Sequence, residues 1–314
     1  MWRVTLMAVG ILCLQACAPV YWLGMKVYYD KVEIPPDRVT MNIGYDATAL
    51  DDHKRQLDLF VPEGAQWATV IFLHGGGWAW GDRAQRFGGG DVYGNIGRFL
   101  AHEGFGAAIP SYRLIWKTDW RTQVTDVARA VAWVQQNMAS RGGDPRRVFL
   151  MGHSAGAQLA LRLAADPQWL REVGGEPNGI CGVVAVSGAG YDLEDRVTEK
   201  FDATNTYYVQ RFGGSITEVA GKPETMAWRR EASVLPLLDA TDPPVLTMIA
   251  TSDYPSLQHQ NRLADERLRG LGLSKGFVIV PNVNHHRIVL ELSRSDHVAG
   301  PAVLKFLRET PCAR

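Results

Sequence analysis

Apolar positions along this chain fall into two rhythms. Gln56-Leu57-Asp58-Leu59-Phe60-Val61-Pro62 alternates inward and outward positions and is closed by proline, the pattern of an antiparallel strand. Residues 69–73 and 147–150 are short, nearly continuous apolar runs, as expected of strands covered on both faces. Further strands are predicted over 105–110, 180–186, 244–250 and 276–280. Elsewhere the spacing changes to three and four. Val124, Val127, Val131, Val134 and Met138 stripe one face of a helix predicted over 120–138, and Gly142-Gly143-Asp144-Pro145 stops it. Shorter helices are predicted over 96–103, 158–165, 258–271 and 298–308. Strand and helix alternating in this way specify one α/β domain, residues 39–314, with a mostly parallel, doubly wound sheet and helices on both faces. Residues 190–242 break the alternation and carry Tyr207, Tyr208, Phe212 and Trp228. They are expected as a small insertion, placed either as a lid over the active end of the sheet or as packing against the core.

Composition alters this picture only at the amino terminus. The 33 basic and 33 acidic residues balance, which excludes nucleic acid or an acidic polymer as an expected partner, and a 46% hydrophobic content supplies an ample core. After Arg3 no charge occurs until Lys26, and residues 4–14 form the apolar run of a secretory signal. Leu14-Gln15-Ala16-Cys17 resembles a bacterial lipobox, so residues 1–17 are expected to be a lipoprotein-type signal peptide with Cys17 lipidated, and 18–38 a spacer. An uncleaved anchor helix and plain secretion remain open alternatives. All three export the domain, and the expected location is the periplasmic face of a bacterial membrane. Of the four cysteines, Cys181 and Cys312 remain for the domain itself, at the ends of a strand and a helix, where they either pair or stay free thiols. Neither has the spacing of a metal site, and no cofactor or metal is expected.

Two glycine-rich stretches carry candidate chemistry. Met151-Gly152-His153-Ser154-Ala155-Gly156-Ala157 sits between a predicted strand and a predicted helix, the setting of a G-x-S-x-G nucleophile elbow. The turn is tight enough to strain the serine, and small residues on either side let strand and helix pass closely. Upstream, His74-Gly75-Gly76-Gly77-Trp78 follows the strand ending at Leu73, and such a run can aim backbone amides at one point as an anion-stabilising nest. Either stretch alone also fits a flexible turn of scaffold; together, in this order and each after a strand, they indicate a nucleophile and an oxyanion hole.

With these motifs the chain resembles an α/β-hydrolase of the carboxylesterase group that includes hormone-sensitive-lipase-like esterases, prenylcysteine methylesterases and arylformamidases. The similarity runs from Leu57-Asp58-Leu59-Phe60-Val61-Pro62 through the 74–78 motif, Ser111-Tyr112-Arg113-Leu114, Gly142-Gly143-Asp144-Pro145 and the elbow to Asp253 and His285, over roughly residues 40–308. The resemblance implies Ser154 as nucleophile and oxyanion amides from Gly76, Gly77 and Ala155, with His74 buttressing the loop. Asp253, after the next-to-last strand, is the implied acid, because Asp239 and Asp242 precede that strand. His285 is the implied base, His286 standing where the family has an aromatic, and His297 is scaffold. Trp78, Trp80, Trp116 and Tyr254 are candidates to line a substrate pocket. The implied activity is hydrolysis of small or moderate acyl esters through an acyl-enzyme, with a small-molecule ester as the partner. Amide hydrolysis of the arylformamidase type on the same triad is the alternative, and a catalytically silent binding protein the other. Oligomeric state is not legible.

Overall fold

The apolar runs assemble into one eight-stranded sheet, ordered β1-β2-β4-β3-β5-β6-β7-β8. The strands are β1 (Val39–Gly44), β2 (Gln56–Phe60), β3 (Trp67–Leu73), β4 (Gly106–Pro110), β5 (Gly143–His153), β6 (Ile180–Val186), β7 (Val245–Ser252) and β8 (Ser274–Asn284). β2 pairs antiparallel with β1 and β4, and the pairs from β4 through β3, β5, β6, β7 and β8 are parallel. The structure is a computed structural model that describes residues 31–86, 90–200, 202–213 and 227–312. Residues 1–30, with the expected signal and Cys17, lie outside the described residues. Among those described, no helix is long and apolar enough to cross a membrane.

Ten helices accompany the strands in the described residues: α1 (Val92–His102), α2 (Trp120–Asn137), α3 (Ala155–Ala165), α4 (Gln168–Glu172), α5 (Arg196–Glu199), α6 (Asp202–Phe212), α7 (Ala227–Ala232), α8 (Pro255–Gly270), α9 (Ile288–Glu291) and α10 (Ala299–Glu309). The stripe Val124, Val127, Val131 and Val134 of α2 joins Leu159 and Leu163 of α3 and Leu268 of α8 in one core. Ile96, Phe99 and Leu100 of α1 join Val303, Phe306 and Leu307 of α10 in a second core. The two cores lie on opposite faces of the sheet, since Ile71 and Leu73 of β3 belong to the first and Val70 and Phe72 to the second. This is the doubly wound architecture that the alternation predicts.

Several boundaries differ from expectation for physical reasons. α1 begins at Val92, earlier than predicted, because the Asp91 side chain caps Gly94 N at 2.9 Å while glycines interrupt the apolar rhythm. β1 was not predicted: it is an edge strand with no buried residue and a register shift between Thr40 and Ile43. The polar face of β2 is not wet either. Asp58 is buried against Arg83 at 3.1 Å and accepts from Asn42 N at 2.9 Å, so a charge pair closes that edge. Val32 and Ile34, at the end of the expected spacer, pack against the second core, and Val32 N donates to Asn95 Oδ1 at 2.7 Å.

The insertion between β6 and β7 contains α5, α6 and α7, and Tyr208, Phe212 and Trp228 join the first core. At the opposite end of the sheet, Cys181 and Cys312 form a disulfide joining the start of β6 to the segment after α10. That resolves the open question of pairing or free thiols.

Candidate active site

Ser154 is the single residue between β5 and α3, at φ 55° and ψ −119°. A left-handed serine costs on the order of 1–3 kcal/mol and persists only where its surroundings enforce it. Here Ser154 N donates to Val186 O of the neighbouring strand at 2.9 Å, and Ala157 N closes the helix onto Ser154 O at 3.0 Å. The flanking glycines are required by close approach. A Cβ at Gly152 would stand 2.2 Å from Gly156 O, and one at Gly156 would stand 2.3 Å from Leu73 O. Strand, turn and helix are thus wedged together, and Ser154 is held 8% exposed at the carboxyl end of the parallel strands.

His285 follows the end of β8, and its Nε2 lies 3.0 Å from Ser154 Oγ. Its Nδ1 donates to Asp253 Oδ1 at 2.9 Å. Asp253 follows the end of β7, is buried, and also accepts from Tyr254 N at 2.8 Å. Three loops at the carboxyl end of the sheet therefore meet in a hydroxyl–imidazole–carboxylate relay. Asp239 and Asp242 bond to each other's turn before β7, at the other end. His297 pairs with the buried Glu291, away from the relay. His286 packs edge-on against His285 at 5.2 Å, and burial, then the neighbouring imidazole, lowers its pKa.

The loop after β3 abuts the elbow: a Cβ at Gly75 would stand 2.7 Å from His153 Nδ1 and 3.3 Å from Ser154 Cβ. Gly76 has φ +124° and Gly77 φ +58°, conformations that side chains resist. Gly76 O accepts from Trp80 N at 2.9 Å, curling the loop on itself. Ala155 begins α3, where free amides and the helix dipole favour an anion. The nest and the helix start thus flank the serine. His74 stacks flat on Tyr112, with centroids 4.2 Å apart, and its Nδ1 donates to Gly75 O at 2.8 Å. Burial pushes its pKa down to about 4, so it braces the loop as a neutral ring.

Of the four aromatic candidates for the pocket, Trp80, Trp116 and Tyr254 are exposed, and Tyr254 lies 5.3 Å from the His285 ring. Trp78 requires correction. It is wholly buried, its indole N–H donates to Gln158 Oε1 at 3.2 Å, and Phe212 packs on it at 4.8 Å, so it offers no surface to a ligand. A residue that the motif reading passed over is His153, the variable position of the elbow. Its Nε2 donates to His285 O at 2.8 Å, and burial, reinforced by His285, holds its pKa well below the ordinary value. The signal was present in the sequence as a histidine beside the serine, but its partner lies 132 positions away. Among the described residues no three His, Cys, Asp or Glu side chains converge as a metal site.

A family described as BD-FAE matches residues 57–264. Over 255 residues the chain is 30% identical to esterase LipC of Mycobacterium tuberculosis (strain ATCC 25618 / H37Rv), covering 78% of this chain and 59% of that protein. Over 252 residues it is 26% identical to an isoprenylcysteine alpha-carbonyl methylesterase of Arabidopsis thaliana, covering 77% of this chain and 56% of the relative. The chain therefore spans less than two thirds of either relative's length. Esterase B of Lactobacillus rhamnosis superposes at a TM-score of 0.70 with 21% identity, covering 98% of this chain and 95% of that one. An esterase of the archaeon Pyrobaculum calidifontis superposes at 0.67 with 18% identity, covering 94% and 92%. These likenesses are of fold, the α/β-hydrolase fold, and the match over residues 57–264 carries the assignment: this chain belongs to the BD-FAE family.

Proposed function

We propose that this protein is a serine carboxylic-ester hydrolase acting on small or moderate acyl esters through an acyl-enzyme. The observation that carries the reading is the continuous relay from Ser154 Oγ to His285 Nε2 at 3.0 Å and from His285 Nδ1 to Asp253 Oδ1 at 2.9 Å. In this reading His285 takes the serine proton as Ser154 attacks the ester carbonyl, and Asp253 stabilises the imidazolium and holds its tautomer. The amides of Gly76, Gly77 and Ala155 receive the oxyanion, each worth roughly 10²–10³ in rate. His285 then protonates the departing alcohol. A water enters, gives its proton to His285, and attacks the acyl group, releasing the acid and restoring Ser154. The esterase names of the relatives support the same class of reaction.

The test is turnover of p-nitrophenyl acetate and longer esters by the purified domain, with Ser154→Ala as blank. The serine variant folds normally and loses at least about 10⁴ of kcat. A burst of p-nitrophenol equal to the enzyme concentration reads the acyl-enzyme directly. Near-normal turnover by Ser154→Ala would overturn the assignment.

We also propose that the domain works outside the cytoplasm, tethered through Cys17. The apolar run after Arg3 supports export, and the Cys181–Cys312 bond is of the kind that persists in oxidising compartments. Processing that is insensitive to globomycin, with an unchanged mature mass, would sink the lipoprotein form of this proposal.

A further inference from the structure

The oxyanion loop is built from glycines, and glycines are the residues least able to hold a conformation by themselves. Its three glycine carbonyls are nevertheless pinned, that of Gly75 by His74 Nδ1 at 2.8 Å. Gly76 O is bonded within the loop by Trp80 N at 2.9 Å. Gly77 O is bonded from outside it, by Arg211 Nε at 3.0 Å, across 134 positions of sequence. Arg211 lies in the last turn of α6, on the insertion, and is only 7% exposed. Its guanidinium is gripped between two rings, 4.3 Å from the centroid of Tyr207 and 4.8 Å from that of Trp116. Flat cationic faces stack well on aromatic rings, so the donor is held in place as well as charged.

The helix presents this arrangement by its period. Tyr207 and Arg211 are four apart and share one face, as do Tyr208 and Phe212 on the adjacent stripe. The first pair meets Gly77: a Cβ there would stand 1.4 Å from Tyr207 Oη. The second pair packs on Trp78, Phe212 at 4.8 Å and Tyr208 at 6.1 Å. The insertion thus contacts both residues of the Gly77–Trp78 peptide, next to an amide assigned to the oxyanion.

We infer that Arg211, seated between Tyr207 and Trp116, is a positioning residue for the oxyanion hole, making the insertion a structural part of the catalytic machinery. The inference rests on the esterase reading and deepens it. It requires that losing the bond to Gly77 O weaken the transition state and leave ground-state binding nearly untouched.

The experiment compares Arg211→Gln and Arg211→Lys with wild type on p-nitrophenyl butyrate and measures inhibition by butylboronic acid, which forms a tetrahedral adduct on the serine. Arg211→Gln is expected to lower kcat by about 10–100-fold with KM within about threefold, and to weaken boronic acid inhibition by a similar factor. Arg211→Lys keeps a cationic donor and is expected to recover part of both losses. Trp116→Leu, which removes an exposed ring stacked on the guanidinium, serves as the second variant should Arg211→Gln fail to fold, and is expected to weaken boronic acid inhibition at least about threefold. A rise in KM with kcat and boronic acid inhibition unchanged would overturn the inference, as would lysine and glutamine variants that behave alike. Unchanged boronic acid inhibition in Trp116→Leu would also overturn it. A wild-type protein that turns over no ester removes the parent reading along with this one, whereas variants equal to an active wild type remove this one alone.

Discussion

His153 Nε2 donates to the main-chain carbonyl of His285 across 2.8 Å, so the residue beside the nucleophile holds the loop that carries the base. The two rings lie 4.7 Å apart. Because burial keeps His153 neutral, it contributes a hydrogen bond without adding a positive charge beside the imidazolium that forms on His285. His153→Leu removes the donor and is expected to lower kcat about tenfold, the equivalent of one ordinary hydrogen bond of roughly 1.4 kcal/mol, with little change in KM. Steady-state kinetics on one short ester checks this, and an unchanged kcat would show that β8 and its neighbours fix His285 unaided.

Asp253 Oδ1 accepts from both His285 Nδ1 and Tyr254 N, which orients the carboxylate by two bonds. Asp253→Asn keeps the shape but replaces an acceptor that carries charge with a neutral amide. The imidazole then loses both its tautomer and its counter-charge, and kcat is expected to fall about 10⁴-fold while the thermal midpoint stays near wild type. The measurement is kcat between pH 7 and 9; a loss smaller than tenfold would move the acid elsewhere.

What could be read in the sequence followed from distance along the chain. Ser154 and its glycines, and the 74–78 nest, are local patterns whose chemistry and conformation are written in neighbouring residues. The strands of the sheet interior were legible because full burial demands unbroken apolar runs, as in β3 and β6. β1 was not, since an edge strand with no buried residue and a register shift has no such demand on it. Trp78 was misplaced at the pocket because the helix that buries it lies about 130 positions later. The same separation hid Arg211 on Gly77 and His153 on His285, and left the pairing of Cys181 with Cys312 open.

That disulfide closes a loop with a sequence separation of 131 and ties β6 to the segment after α10, at the end of the sheet away from Ser154. Cross-links of this reach typically stabilise by about 2–4 kcal/mol, largely through the unfolded chain. Cys181→Ser with Cys312→Ser is therefore expected to lower the unfolding free energy by that amount and leave kcat and KM as they are. Urea denaturation beside ester kinetics tests it. A variant with reduced kcat at full occupancy of the folded state would connect the two ends of the sheet, contrary to this expectation.

The buried His74 ties stability to pH. Burial holds its folded pKa at about 4, against the ordinary 6.5 of a histidine. Below pH 6.5 the unfolded chain takes up a proton that the folded chain refuses, so stability is full above that pH and falls as the pH drops toward 4. Below about 4 the folded form also binds the proton and the loss levels off. The shift corresponds to about 3 kcal/mol over the whole window. His153 is lowered in the same direction and adds to the slope. His74→Phe keeps a ring against Tyr112 and removes the titration, so its stability is expected to fall less steeply between pH 6.5 and 4.5 than that of wild type. Urea unfolding at fixed temperature across that range is the measurement. Parallel curves for the two proteins would mean that His74 does not refuse its proton in the fold, and that the oxyanion loop tolerates a charge beneath it.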